Sequence, residues 1–470
     1  MTFDYIIIGS GPSGSVLSWN LSKKGFKIAI IDRATNIKKE SDKNSFIYSP
    51  YIKNCPNYYT PLFSNQLGGN SALWNNKVYL ISKDEMGLGN WNIEYEELFK
   101  FSEDLSKKFD LNHDDISTTT NVDGLKYSRS LRAKKLGNIF NYLKIYENKN
   151  ITVCDSSSPI SLNFGENKTV KSIILKNSIT QKNTELFLNN SLIFCAGGLG
   201  NPNLLQNLLT NNNELIGKNL CDHPHINLAS IKKADAKNSF KFGKYFLNNQ
   251  NENTEENFYH NDGSYFVGIQ LDIAADPARF LKRIFIKTRQ TLPKKIFSLL
   301  INYYSFFYKI VIKILSILNL KGKYSYEFFF SQKNNLENMI KLNNYSKDNF
   351  GLFKSDIIWD ISKEEKNEYN NLISYLIGKK GILLNKEKHH EFTTKKILSG
   401  LHPSCTTLIG TDKFSGCVDK NLKLFDHENI YVCGSSVFSS NGFTNPTWTI
   451  MTLSNRLSEY LTNIYKPKKN

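Results

Sequence analysis

The sequence predicts an α/β fold in which a Rossmann-like nucleotide-binding domain, discontinuous in sequence, is joined to a second, α+β domain. Three observations predict it. The N-terminal stretch DYIIIGSGPSGSVLSWNLSKKGFKIAIIDR reads as an apolar strand, a glycine turn, a helix and a second apolar strand ending in an acid. A further apolar strand, Leu192 to Cys195, runs into another glycine turn, as a strand returning to the same sheet would. At 470 residues the chain exceeds what one small core accommodates, so two domains are expected.

In the first unit, Gly9 permits the tight turn, Gly11 lets backbone approach a pyrophosphate, and Gly14 lets helix and strand pack closely. The phosphates would rest against the helix N-terminus. Asp32 follows Gly14 by 18 residues, where a carboxylate can accept from ribose hydroxyls. The motif indicates a dinucleotide and does not by itself separate FAD from NAD. Arg33 is read as a solvated arginine, with a 2′-phosphate as the other reading. In NNSLIFCAGGLGNPNLLQNLL, Pro202 is placed to start a helix, and the glycine turn before it either contacts ligand or only connects strand to helix.

Composition is that of a globular protein, with 40% hydrophobic and 22% charged residues. Seven cysteines form no C-x-x-C pair, so neither a disulfide framework nor a zinc site is expected, which suits a reducing compartment. The first residues run straight into a strand, so no signal peptide is expected and the location read is cytoplasmic, extending to the inner face of the membrane. A formal charge of +17 comes with no nucleic-acid motif, which leaves an anionic surface or an acidic substrate open.

Residues 279–320 combine seven early Lys and Arg with IFSLLINYYSFFYKIVIKILSILNL, whose polar residues recur at helical spacing. Lys309 and Lys313 would fall near the middle of a bilayer, so the readings are peripheral membrane contact or internal packing, not a span. The polar stretch 248–261 reads as a mobile loop. Near the C-terminus, SNGFTNPTWTIMTLSNR places Pro446 in the first turn of a helix and Asn445 as its N-cap.

Several blocks together resemble the GMC (glucose-methanol-choline) oxidoreductase family: the N-terminal fingerprint, LGGNSALWNN, AGGLGNPNLL, IGKNLCDHP, and LHPSCTTLIGTD through the end of the C-terminal helix. The cysteine and histidine spacing leaves no metal expected, and the resemblance implies FAD as cofactor. It implies an FAD-binding domain from 1–100, 150–227 and 399–470, and a substrate-binding domain from 228–398, with part of 101–149. It implies His402 as catalytic base, and Asn445 beside it. It further implies cofactor contacts at Gly68, Gly69, Asn70, Ala72, Val153, Ala196, Gly197, Gly434, Ser435, Asn445, Pro446 and Thr447. Cys405 departs from the pattern, standing where a glycine is common.

The expected activity is oxidation of an alcohol CH–OH group, the donor being a small-molecule or glycan alcohol such as a sugar or polyol. The electron acceptor is left open among oxygen, a quinone and a protein. Neutral imidazole suits the base because its ordinary pKa lies near working pH. Alternatives are a lipid alcohol at a membrane surface, a flavin-dependent isomerase or reductase, and a membrane-associated binding protein with a degenerate flavin site. His223, His225, His389 and His390 have weaker claims than His402, and no carboxylate spacing beside them suggests a metal site.

Overall fold

The computed structural model describes residues 1–34, 64–227, 254–273, 324–380 and 397–467, apart from 65, 75, 118, 123, 124, 134, 210–212 and 262–264. The strand Thr2–Ile8 is buried from its second residue onward. It pairs in parallel with Ile28–Ile31 on one side and Asn183–Phe194 on the other. Ile151–Cys154 extends the sheet beyond Ile28–Ile31, and Ile430–Val432 adds a parallel strand beside Asn183–Phe194. Burial on both faces explains why the central strands read as apolar runs without alternation.

The early residues of Asn183–Phe194 pair antiparallel with Val170–Asn177, which in turn pairs with Ser157–Phe164. One 12-residue strand therefore carries a meander at one end and the nucleotide sheet at the other. The helix Pro12–Lys23 packs against the last helix, Thr447–Ile464. Two polar contacts pin them: Asn20 Nδ2 donates to Asn455 Oδ1 at 3.0 Å, and Ser454 Oγ to Ser13 Oγ at 3.0 Å.

A second sheet is antiparallel and runs Leu398–Ser399, Pro224–Asn227, Tyr324–Phe330, Phe266–Ile273, Thr254–Asn261, Leu125–Arg132, Lys77–Val78. Leu125–Arg132 brings part of 101–149 into it. Lys77–Val78 and Pro224–Asn227 belong to it although they lie in segments assigned to the nucleotide domain; these are the places where the chain crosses between sheets. Thr254–Asn261 corrects the loop expected over 248–261. Its backbone is paired on both sides, by Leu125–Arg132 and Phe266–Ile273, and that pairing outweighs its polar composition.

The insert 279–320, with His389 and His390, lies outside the described residues. Among the described residues no helix is long and apolar enough to cross a membrane, and no cluster of His, Cys, Asp or Glu could hold a metal ion.

Candidate active site

The glycines after the parallel strands build one cavity of about 500 Å³ at their carboxyl ends. At Gly9, φ is +107° and an added Cβ would lie 2.5 Å from the Cys195 carbonyl oxygen. At Gly14 it would lie 1.9 Å from the Gly9 carbonyl oxygen, so this glycine serves helix-to-turn packing and does not border the cavity. A Cβ on Gly11 or on Gly197 would meet no atom within 4 Å, because both face the open cavity. The segment carrying Gly69 and Asn70 lies over the turn: Gly68 N donates to Ser10 Oγ at 2.9 Å, and a Cβ on Gly69 would sit 3.1 Å from Gly11 Cα.

One end of the cavity carries Asp32, whose carboxylate is oriented by two backbone donors, Ser10 N at 2.7 Å and Ala34 N at 2.8 Å. Ser157 and Ser158 border the same end and were not foreseen. Arg33 corrects its reading as a solvated arginine. Its Nη1 pairs with Asp348 at 3.0 Å, its Nε donates to Ser158 Oγ at 3.0 Å, and it stands over the Phe350 ring. Its Nη2 is buried without a hydrogen-bond partner among the described residues, at a wall of this cavity. An oriented acid, an open glycine turn and an orphaned guanidinium nitrogen fit the adenosine and pyrophosphate portions of a dinucleotide.

Toward the middle, Ala196, Gly197, Gly434 and Ser435 border the cavity. The helix here is Gly197–Leu208, so Pro202 lies within it and does not start it. Proline offers no N–H to the Gly198 carbonyl. Thr406 Oγ1 donates to that carbonyl instead, at 2.6 Å, which ties the helix to the segment carrying His402. Asn201 Oδ1 accepts from Ala196 N at 2.6 Å, and its amide donates to Ser436 Oγ at 2.9 Å, joining the two glycine turns.

The other end of the cavity holds His402, Asn445, Pro446 and Thr447. Asn445 Nδ2 lies 3.2 Å from His402 Nε2, although 43 residues separate them. Asn445 is not the helix cap. Pro446 occupies that position, the helix begins at Thr447, and no side chain caps it. The amide turns to the imidazole because the preceding segment is held elsewhere. The buried Glu85 carboxylate accepts from Phe443 N at 3.1 Å, as well as from Tyr79 Oη at 2.7 Å and Ser82 N at 2.8 Å. Gly442, at φ +62°, leaves no room for a Cβ beside Glu85.

His402 is positioned through Asp222. Asp222 Oδ1 accepts from His402 N at 2.9 Å and from His223 N at 2.7 Å, and Oδ2 accepts from Ser399 Oγ. Asn441 Nδ2 donates to the Asp222 carbonyl, and His223 Nδ1 faces the Gly442 carbonyl at 3.0 Å. The Asp222–His223 pair thus grips the segments of both His402 and Asn445. Burial, with the charges of His223 and Lys77, holds His402 well below the ordinary imidazole value, so its ring is neutral at working pH. Cys405 is buried at φ +69°, a conformation glycine adopts without steric cost.

Gly68, Ala72 and Val153 do not border the cavity. Gly68 has φ +91° and packs under Asn138, while Val153 pairs with Ile30 inside the sheet. Ala72 closes the short helical turn Gly69–Ala72. His225 stacks on Phe329 at 4.5 Å. Asp222 and Glu85 were missed, though each left a signal: Asp222 in LCDHP, Glu85 as the fourth residue of a capping box beginning at Ser82.

Residues 377–454 match the model of the GMC oxidoreductase family, and residues 7–63 that of an NAD(P)-binding Rossmann-like domain. Among curated proteins, the geranylgeranyl diphosphate reductase of Rhodobacter capsulatus is 42% identical over 38 residues. That match spans 8% of this chain and a tenth (10%) of the relative's length. Among solved structures, an FAD-dependent oxidoreductase from Chaetomium thermophilum superposes with TM-score 0.61 at 13% identity, covering 99% of this chain and 100% of that one. A formate oxidase gives 0.59 at 14%, covering 99% of each chain, and a fungal aryl-alcohol oxidase 0.59 at 14%, covering 98% and 99%. At these identities the likeness is one of fold. The fold and the glycine-lined cavity are those of a Rossmann-type dinucleotide-binding protein, and the residues that border the cavity fit FAD as its cofactor. Its C-terminal signature, over residues 377–454, is similar to that of the GMC (glucose-methanol-choline) oxidoreductases.

Proposed function

We propose that the protein oxidises a CH–OH group, with His402 as the base that takes the hydroxyl proton and Asn445 as the amide that holds the hydroxyl oxygen. The observation that carries this reading is the 3.2 Å approach of Asn445 Nδ2 to His402 Nε2 at the cavity wall. A donor and a lone pair so placed match the two demands of an alcohol, whose oxygen accepts from the amide while its proton leaves to the ring. FAD, when bound, supplies the hydride acceptor. Gly9, Gly11 and Gly197 shape the floor on which it would lie, and Asp32 would hold its ribose.

A polar imidazole and carboxamide favour a sugar, polyol or glycan hydroxyl over an apolar donor. The depressed basicity of His402 keeps the lone pair available without prior deprotonation. The final electron acceptor is oxygen, a quinone or a protein.

Anaerobic mixing with a panel of alcohols, followed by flavin absorbance, tests the proposal. His402→Ala should keep its bound FAD spectrum and bleach about 10²- to 10⁴-fold more slowly. Bleaching at the wild-type rate rejects His402 as base, and a panel in which no alcohol bleaches the wild type rejects the CH–OH donor.

A further inference from the structure

Two imidazoles meet behind the proposed proton acceptor. His223 is 1% exposed, and its ring centroid lies 5.1 Å from that of His402 in an edge-on arrangement. Their hydrogen-bonding surroundings differ. His402 Nε2 faces the Asn445 amide donor, which leaves the neutral ring's proton on Nδ1, and Nδ1 is buried without a hydrogen-bond partner among the described residues. His223 Nδ1 faces the Gly442 carbonyl at 3.0 Å, which places its proton there and leaves a bare lone pair on Nε2. That Nε2 is likewise buried without a hydrogen-bond partner among the described residues. One ring thus holds an unused donor, its neighbour an unused acceptor.

An imidazolium is stabilised by acceptors at its N–H groups and destabilised by donors. His223 already has a carbonyl at one nitrogen, and the Thr444 carbonyl draws it the same way. His402 has an amide N–H pointed at it. Positive charge is therefore better received on His223. The other charged and titratable groups about the pair are Asp222, which accepts from both backbone N–H groups, Lys77, which acts on His402, and Cys221, next to Asp222 in the chain.

We propose that His223 is the resting place of the proton that His402 takes from the substrate. The substrate O–H bond breaks and an N–H bond forms at His402 Nε2. The His402 Nδ1–H bond then breaks and an N–H bond forms at His223 Nε2. His402 ends neutral in its other tautomer, and the positive charge lies on His223. His223 touches neither substrate nor cofactor and acts through His402, as a positioning residue for the proton. The proposal rests on the alcohol-oxidation reading above.

Histidine ¹⁵N NMR of the FAD-bound protein as pH is lowered measures which ring is protonated first. The first protonation of the pair should disappear in His223→Gln and persist at an unchanged midpoint in His402→Gln. Persistence in His223→Gln, or loss in His402→Gln, overturns the proposal, and the second variant decides alone should the first fail to fold. In anaerobic reduction by an alcohol, His223→Gln should bleach about tenfold more slowly or worse at unchanged alcohol affinity, and added imidazole should restore the rate in proportion to its concentration. A rate that is unchanged, or that imidazole does not restore, overturns it too. Undiminished bleaching in His402→Gln would instead sink the alcohol-oxidation reading, while the order of protonation is still decided by the spectra.

Discussion

Replacing Asp222 with alanine should destabilise the protein and disable the site together. Asp222 is 3% exposed, and its carboxylate accepts from His223 N at 2.7 Å, His402 N at 2.9 Å and the Ser399 hydroxyl. The hydroxyl can rotate to another acceptor; the two backbone donors cannot. A buried donor left unsatisfied costs about 1–3 kcal/mol, so two cost about 2–6 kcal/mol. That is a large share of the roughly 5–15 kcal/mol by which folded proteins exceed their unfolded chains. Asp222→Asn keeps the size and the Oδ1 that accepts from both backbone N–H groups, and should lose far less than the alanine variant. Urea midpoints followed by bound-flavin absorbance report the stability, and anaerobic bleaching by an alcohol reports the site. An alanine variant within about 0.5 kcal/mol of wild type, the range of ordinary surface changes, with an unaltered bleaching rate, would refute the positioning role assigned to Asp222.

Two further outcomes follow from the geometry. Gly14→Ala drives a Cβ to 1.9 Å from the Gly9 carbonyl oxygen, so the turn must shift and FAD affinity should fall about tenfold or more, read by flavin fluorescence titration of the apoprotein; unchanged affinity contradicts the packing role. Burial pulls His223 down to about 4, against about 6.5 in the unfolded chain, so folding favours the neutral ring. Its contribution is complete above pH 6.5 and is lost as pH falls toward 4, about 3 kcal/mol in all. Thermal midpoints should drop across that window, and less steeply in His223→Gln; equal slopes would contradict it.

The nucleotide half was legible because local pattern and tertiary role coincide there. An apolar run buried on both faces, a glycine turn and an acid are each dictated by contacts within one supersecondary unit. The pairing of His402 with Asn445 was not legible from spacing and came from the family resemblance; only the fold brings residues 43 positions apart within 3.2 Å. Asn445 misled as a cap because a polar residue before proline satisfies the capping pattern, whereas the Glu85 contact that holds its approach segment joins residues far apart in sequence. Thr254–Asn261 misled because its composition is that of a solvated loop, while its hydrogen-bond partners lie in strands on either side. His223 had a weaker claim than His402 in the sequence, where nothing relates the two; only the fold brings their ring centroids to 5.1 Å.

The strand Ile430–Val432 joins a sheet begun at Thr2–Ile8, and Tyr5 Oη donates to the Leu461 carbonyl at 3.3 Å. During synthesis, the strand Thr2–Ile8 must therefore wait for a strand made about 420 residues later before its own layer is complete. Such late closure makes folding slow and leaves the apolar N-terminal strand in need of shelter throughout translation. A nascent chain stopped before residue 430 would lack both the final strand and the helix that covers Pro12–Lys23, and should be captured by chaperones rather than by FAD.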